Sequence, residues 1–301
     1  MKKHFILFLK GIAMGVANVI PGVSGGTIAL ITEIYEDLIN SLKSLDLKAC
    51  KLLITFKFKE FVEYTNFYFL AAIFGGSIVS VFSIASLFKY LFDNFPIFIW
   101  SFFFGLILSS VYFVGKRITQ WNFWNIFIFV FGASLAFSFS FLSPSTENDN
   151  LFYVFVCGII GVSGMMLPGL SGSFILILMG NYELLMVTAV TDLDIVLLSL
   201  FFLGSVFGLI SFSRILSWVF KHYKDATLAL LTGFILGSLN IVWPWKESKD
   251  NVLINGQEKI LTYERYFPTE FDSTTIIAFI LLILGILLVC WIERFSLNNN
   301  K

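Results

Sequence analysis

Six apolar stretches constrain this chain more than any other feature of its sequence. Each can cross the ~30 Å hydrocarbon core of a bilayer as a helix, some of them tilted, because a helix rises ~1.5 Å per residue. Only 13% of the residues are charged, about half the share found in soluble domains. The chain is therefore predicted to be an all-α polytopic membrane protein, with transmembrane helices at 67–92, 96–115, 122–142, 195–220, 226–243 and 274–292.

Two further apolar regions, 5–42 and 151–190, are interrupted near their centres by helix-breaking residues. The pieces on either side of each break are short for a full crossing. Non-helical backbone is tolerated at membrane depth only where protein or a water-filled cavity surrounds it. Each region is predicted to be a re-entrant hairpin that enters and leaves on one side of the membrane. The breaks are at Pro21-Gly22 and Pro168-Gly169.

The two interrupted regions are similar to each other at a constant spacing. PGVSGG at 21–26 aligns with PGLSGS at 168–173, an offset of 147 residues, and Tyr35-Glu36 aligns with Tyr182-Glu183. Farther along, GLIL at 105–108 aligns with GFIL at 233–236, an offset of 128. The change in offset predicts a linker between 43 and 65 in the first half only. The chain is thus predicted to contain two repeats, 1–145 and 150–295, each a hairpin followed by three transmembrane helices.

The distribution of charge predicts how these repeats are oriented. A hairpin plus three crossings per half is an odd number of crossings, so the second half is expected to be inverted relative to the first. With both termini in the cytoplasm, most Lys and Arg residues lie inside, whereas 143–150 and 182–194 contain none. This agrees with the positive-inside rule. The segment 244–273 is then an external loop, expected to be a small cap or lid.

The residues at the breaks are suited to an anion. Interrupted helices at matching positions of inverted repeats are typical of secondary transporters that bind substrate near the membrane midplane. A helix that restarts after a break presents backbone N–H groups and the positive end of its dipole. Alternatively, the glycines only shape the turns and the serines only cap helices. The predicted phosphate-binding residues are Ser24, Gly25, Gly26, Thr27, Ser171, Gly172 and Ser173.

Four other polar residues are candidates for the site. Glu36 and Glu183 are either proton carriers and gates or interfacial side chains that reach toward the membrane surface. Arg214 lies near the end of a predicted span, where it either binds phosphate or reaches the interface. Asn18, just before the first break, either binds the ligand or holds the unwound backbone.

Catalysis and cofactor binding find little support in the sequence. There is no plausibly spaced Ser/His/Asp set and no nucleotide-binding glycine loop, and the two histidines and three cysteines are too scattered for a metal site. We expect no catalytic residue, no metal, no cofactor and no nucleic-acid partner. The protein is predicted not to be an enzyme.

The segments KGIAMGVANVIPGVSGGTIALITEIYEDLI and GVSGMMLPGLSGSFILILMGNYELL resemble the repeated signature of a bacterial membrane family. This family, formerly a domain of unknown function, is associated with polyprenyl-phosphate translocation under the name PopT. The resemblance extends over essentially the whole chain. In the family signature an Asp commonly stands at the position of Asn18 and an Arg at that of Asp37. These departures put a titratable group at 18 and a basic contact at 37 in doubt.

The resemblance implies a transporter that returns undecaprenyl phosphate from the outer to the cytoplasmic leaflet of the bacterial inner membrane, for cell-wall precursor recycling. Inward movement of an anionic headgroup opposes the membrane potential by ~2.3 kcal/mol per charge per 100 mV. Coupling to H⁺ or Na⁺ is therefore a hypothesis. One alternative is an undecaprenyl-pyrophosphate phosphatase, whose similar motif carries an arginine where this chain has Gly25 and Gly172. Another is an exporter of a small soluble anion.

Overall fold

The computed structural model describes residues 2–19, 24–254, 257–270 and 272–299. The regular structure in these ranges is helical apart from one hairpin of strands, as expected for a helical membrane protein. A π-helical turn, Leu184–Thr188, follows α10. The helices are α1 (Lys2–Val19), α2 (Gly25–Ile31), α3 (Tyr35–Lys43), α4 (Leu47–Ile54), α5 (Phe58–Tyr64), α6 (Phe67–Asn94), α7 (Pro96–Gly115), α8 (Phe123–Phe139), α9 (Leu151–Met166), α10 (Gly172–Leu178), α11 (Ala189–Thr191), α12 (Ile195–His222), α13 (Lys224–Ser238) and α14 (Ser273–Asn299).

Three of these helices are long and apolar enough, by length and composition, to cross a membrane: Pro96–Gly115, Ile195–His222 and Ser273–Arg294. A fourth candidate is Phe67–Val81 taken with the short helix Phe58–Tyr64, although the two are bent by 70°. Helix α8 is apolar but shorter, and α13 ends at Ser238, five residues before the end of the predicted span. Turn hydrogen bonds at Leu239, Asn240 and Ile241 replace the helix there.

The predicted external loop contains regular structure that the all-α prediction did not include. Strands β1 (Lys246–Ile254) and β2 (Gln257–Arg265) pair antiparallel, with Lys246 opposite Arg265 and Ile254 opposite Gln257. The register shifts near Asp250. At the base of the hairpin the Tyr266 amide donates to the Trp245 carbonyl, at 3.0 Å, so the strands emerge from the end of the α13 segment.

The segment 43–65, predicted as a linker of the first half, forms the two short helices α4 and α5. The Asp46 carboxylate accepts hydrogen bonds from the amides of Lys48 and Ala49 and from the Tyr64 hydroxyl, at 2.8–3.0 Å. Burial raises the pKa of Asp46, but these hydrogen bonds and the charge of Arg214 together lower it below its usual range. The capping carboxylate thus fixes the start of α4 and ties α5 to it.

Close helix packing recurs at the two sequence offsets of the predicted repeats. In the pair α1 and α6, Gly11 faces the Ile73 carbonyl and Gly76 faces the Phe8 carbonyl. In the pair α9 and α12 the equivalent contacts are Gly158 with Phe201 and Gly204 with Phe155. A side chain at any of these glycines would overlap the facing backbone, so glycine is what allows the approach.

A second set of contacts joins the two halves of the chain. Helix α7 packs on α14 and helix α13 packs on α8, and both pairs use glycine against a backbone carbonyl. The facing residues are Gly105 with Leu282 and Gly285 with Phe102 in the first pair, and Gly233 with Phe129 and Gly132 with Leu230 in the second. Each half therefore contributes one helix to each of the two pairs.

Candidate functional site at the meeting of the two breaks

The first break separates α1 from the short helix α2. Ser24 is the N-cap of α2, and its hydroxyl accepts a 3.1 Å hydrogen bond from the Gly26 amide. The Asn18 side chain accepts a 2.8 Å hydrogen bond from the Gly25 amide, so it bridges the break. Residues 20–23, which include the predicted break at Pro21 and Gly22, lie outside the described residues. All seven residues of α2 are buried.

The second break is similar in backbone geometry. Ser171 has φ −104° and ψ 134°, close to φ −115° and ψ 134° at Ser24, and it immediately precedes α10. Its hydroxyl pairs with the Ser173 hydroxyl at 2.6 Å instead of capping the helix. Gly169 has φ 83°, and a Cβ there would lie 2.7 Å from the Phe234 carbonyl oxygen, so this turn requires glycine. Pro168 beside it is buried.

The two breaks meet through hydrogen bonds between residues more than 130 positions apart. The Ser24 hydroxyl lies 3.1 Å from the Leu167 carbonyl oxygen and 3.2 Å from that of Met165. The Gly169 amide donates to the Thr27 hydroxyl oxygen at 3.1 Å. Polar groups of the first break thereby satisfy backbone groups that the end of α9 leaves without helical partners.

The sequence predicts that the N–H groups at the breaks are free to bind an anion, and the structure differs from this prediction in one respect. The amides of Gly25, Gly26 and Thr27 are each bonded within the protein, to Asn18, to the Ser24 hydroxyl and to the Ser24 carbonyl. Ser24 and Thr27 are 1% exposed, and Ser171 is 4% exposed. A phosphate group can reach these donors only if the two breaks separate. Phosphate binding by the tip residues, including Gly172 and Ser173, stays a prediction.

The part of the interrupted region 5–42 that follows the first break contains two helices, α2 and α3, with a turn between them. The turn between α2 and α3 places Glu33 at φ 60°, and the equivalent turn, 147 residues later, places Gly180 at φ 77°. Glu36 consequently lies in the first turn of α3, and Glu183 immediately precedes the π-helical turn. Neither glutamate shares a helix with the hydroxyls of its own break.

Two basic side chains bind the carbonyl end of α2, which the sequence alone did not indicate. Arg117 is one of the basic residues on the predicted cytoplasmic side, and its guanidinium donates to the carbonyls of Leu30 at 2.7 Å and Ile31 at 3.2 Å. The Lys10 ammonium donates to the Thr32 carbonyl at 2.7 Å. Cations at this end offset the negative end of the helix dipole. No local signal reveals the Arg117 contacts, because the partners are 86 or more residues away.

Arg117 also connects α2 to the last helix. One guanidinium nitrogen lies 3.3 Å from a carboxylate oxygen of Glu293 and 3.3 Å from one of Glu33. The Glu293 side chain is only 11% exposed, which makes Arg117 important for neutralising it.

A cavity of about 620 Å³ lies beside these groups. Tyr35 lines it, and the Tyr35 hydroxyl donates to the Met166 carbonyl, so the cavity adjoins the contact between the breaks. Glu36 lies on its wall in a 2.7 Å ion pair with Lys224. The other lining residues are Leu30, Glu33, Asp37, Arg117, Thr119, Phe220 and Leu228.

Arg214, predicted as a candidate phosphate partner, lies elsewhere. It is exposed on α12, and its charge acts on Asp46 and Tyr64 of the 43–65 segment. Among the described residues, no group of three His, Cys, Asp or Glu side chains is arranged to hold a metal ion.

Comparison with known proteins gives consistent matches along the chain. Residues 14–260 match a family described as undecaprenyl phosphate translocase-like. A polyprenyl-phosphate transporter of Vibrio cholerae is 38% identical over 296 residues, covering 96% of each chain. A polyprenyl-phosphate transporter of Staphylococcus aureus is 30% identical over 258 residues, covering 80% of this chain and 86% of the other. No solved structure matches the chain. These names are those of transporters, not enzymes.

Proposed function

Because the chain belongs to the undecaprenyl phosphate translocase-like family, we propose that it transports polyprenyl phosphate, and specifically that it returns undecaprenyl phosphate from the outer to the cytoplasmic leaflet. It is a transporter and not an enzyme, as the family and its relatives indicate. The proposed location is the bacterial inner membrane, with both termini in the cytoplasm. The proposed role is to recycle the lipid carrier of cell-wall precursors.

The observation that carries this proposal is the direct contact between the two breaks. Ser24 and Thr27 bind the backbone of 165–169 in a buried site within an apolar helical protein. Hydroxyl and amide donors of this kind also bind phosphate oxygens. A headgroup that enters between the breaks exchanges protein–protein hydrogen bonds for protein–phosphate ones, while the polyprenyl tail stays in the lipid.

Alternating access requires two gates, and the proposed inverted repeats would supply them. Support comes from the glycine contacts that recur at offsets of 147 and 128, and from the matched turns at Glu33 and Gly180. The absence of Lys and Arg from 143–150 and 182–194 supports opposite orientations of the halves. In this proposal the first hairpin enters from the cytoplasm and the second from outside.

Ion coupling is the second part of the proposal. A headgroup that moves inward against the membrane potential needs a compensating cation. Glu36 is the better candidate carrier of the two glutamates, because it lies on the wall of the 620 Å³ cavity and is paired with Lys224. A proton on Glu36 would break this ion pair. Glu183 is the corresponding candidate in the second half.

The proposal is tested with purified protein in liposomes that contain undecaprenyl phosphate. We expect the outer-leaflet lipid phosphate to decrease with time, and Ser24→Ala or Ser171→Ala to slow the decrease without preventing membrane insertion. Ser138→Ala, an exposed serine of α8, is the matched control. If the wild-type protein leaves the outer-leaflet lipid unchanged, with and without proton or sodium gradients, the transport proposal is wrong.

The same preparation separates the alternatives. Release of inorganic phosphate from undecaprenyl pyrophosphate would instead identify a phosphatase. Uptake of a soluble anion into lipid-phosphate-free vesicles would identify an anion exporter.

A further inference from the structure

A second, smaller cavity of about 290 Å³ lies between α3 and α12. Residues of α3 at spacings of three and four line one wall, and residues of α12 at the same spacings line the other, so two helix faces oppose each other. The α3 residues are Glu36, Ile39, Asn40 and Lys43, and the α12 residues are Ser217, Phe220 and Lys221.

The polar groups of this cavity suit a phosphomonoester. Lys43 and Lys221 bring two ammonium groups to the lining, and Lys221 has no ion-pair partner within the part of the chain that the structure describes. The Ser217 hydroxyl accepts a hydrogen bond from Lys43 at 3.3 Å and donates to the Asn40 side chain at 2.9 Å. The one acidic lining residue, Glu36, is already neutralised by Lys224. The lining therefore attracts anions and offers charge-assisted donors.

The smaller cavity is connected to the contact between the breaks. Glu36 and Phe220 line both cavities, so the 620 Å³ and 290 Å³ cavities adjoin at these side chains. Tyr35, on the wall of the larger cavity, is hydrogen-bonded to Met166 at the second break. The larger cavity therefore adjoins both the contact between the breaks and the smaller cavity, with the Glu36–Lys224 ion pair on its wall.

We propose that the 290 Å³ cavity is a phosphomonoester subsite at which the lipid headgroup is held by Lys43, Lys221 and Ser217 before release. This inference rests on the proposed transport function and adds to it a second headgroup-binding site on the predicted cytoplasmic side. Glu36, which lines both cavities and is paired with Lys224, lies where the two cavities adjoin.

The test is binding of farnesyl monophosphate, a short soluble lipid phosphate, to the purified full-length protein. The variant is Lys43→Gln with Lys221→Gln, and the matched control is Lys51→Gln with Lys59→Gln, which removes the same charge from exposed positions of α4 and α5. We expect the first pair to weaken binding at least tenfold and to reduce its salt dependence, and the control pair to have little effect. Lys43→Arg with Lys221→Arg should retain most of the affinity. Equal affinity of the wild type and the glutamine pair overturns the subsite, as does an equal loss in the control pair.

Competition distinguishes a lipid headgroup from free phosphate. If inorganic phosphate displaces farnesyl monophosphate at an equal concentration, the cavity binds phosphate in general and its assignment to the lipid is wrong. The liposome assay separates this inference from the proposed function. If the wild-type protein moves undecaprenyl phosphate, and the variant Lys43→Gln with Lys221→Gln binds and moves it equally well, the transport proposal stands and the subsite is refuted. Melting temperatures of all variants verify that each one is folded.

Discussion

The Tyr35 hydroxyl donates a 2.9 Å hydrogen bond to the Met166 carbonyl, which joins the start of α3 in the first half to the end of α9 in the second. The Tyr35 ring is 3% exposed and lies against the Phe220 ring, with a centroid distance of 6.0 Å. One side chain therefore connects the contact between the breaks, the larger cavity and α12.

Replacing this tyrosine should loosen the contact between the breaks. Tyr35→Phe keeps the buried ring but removes a hydrogen bond worth about 1 kcal/mol, and leaves the Met166 carbonyl without that donor. We expect a lower melting temperature and faster labelling of a cysteine placed at Met166. Tyr182→Phe is the matched control, because Tyr182 occupies the equivalent position, is 37% exposed, and its hydroxyl makes no hydrogen bond among the described residues. Equal effects of the two changes would contradict the role assigned to Tyr35.

The second break should not tolerate a side chain at Gly169. In Gly169→Ala, the positive φ and the approach of the new Cβ to the Phe234 carbonyl act together, so we expect a lower melting temperature and little transport. Gly75→Ala serves as the control, because a Cβ there meets only the Phe8 ring at 4.0 Å. Thermal unfolding and the liposome assay measure both variants. A Gly169→Ala protein with wild-type transport would show that the turn can rearrange.

Removal of the Arg117 guanidinium should destabilise the end of α2 and the neighbouring Glu293. We expect Arg117→Gln to cost about 2 kcal/mol, typical of hydrogen bonds to a charged group, since the Arg117 side chain is 24% exposed and not fully desolvated. Glu293→Gln in the same chain should recover part of the loss, because it removes the carboxylate that Arg117 neutralises. Melting temperatures of the two single variants and the double variant measure this coupling. Additive effects would mean that the two residues do not interact.

The base of the β-hairpin should become more stable as the pH rises. Burial, and secondarily the charge of Arg265, lower the pKa of Lys246 from 10.5 to about 7. Between these pH values the Lys246 amine is protonated in the unfolded chain but not in the folded protein. The contribution of Lys246 to the free energy of unfolding therefore rises with pH from about 7 toward 10.5 and does not change below about 7. We expect the melting temperature to increase from pH 7 to 9 in the wild type and to increase less in Lys246→Met.

Two further changes test the environment of Lys246. Its ammonium lies 3.6 Å from the centre of the Trp100 ring, a contact that favours the charged amine. Trp100→Leu should therefore strengthen the pH dependence, and Lys51→Met, at an exposed position of α4, should leave it as in the wild type. An identical pH dependence in the wild type and Lys246→Met would refute the assignment.

Much of the architecture could be predicted from local sequence. The lengths of the apolar segments predicted the bounds of α7, α12 and α14 to within a few residues, except that α14 continues to Asn299. The repeated PG-x-SG pattern pointed to the two segments that meet in the structure, because proline and glycine act on the backbone of the segment that carries them. The cap by Ser24 is likewise local.

The remaining features depend on contacts that a single sequence does not encode locally. The turn at Glu33 was missed because a glutamate in the sequence does not indicate a turn, although Glu33 has φ 60°. The glycine at the equivalent position, Gly180, does indicate one. The contacts of Arg117 with α2 and the burial of Lys246 depend on tertiary packing. The β-hairpin was missed because the mixed charge of its strands resembles that of a loop. The position of Arg214 on the exposed side of α12 could not be predicted either, because closeness to the end of a span does not reveal which way a side chain faces.

The helix pairs that join the two halves, α7 with α14 and α8 with α13, have a consequence for how the protein is synthesised. Helix α7 packs its Gly105 face on α14, which is synthesised more than 150 residues later. Until α14 is inserted, this face of α7 lacks the helix that it packs against in the folded protein. A ribosome that stops before residue 273 therefore produces an α7 whose glycine-lined face lacks its partner helix, even though every residue of the first half has been made.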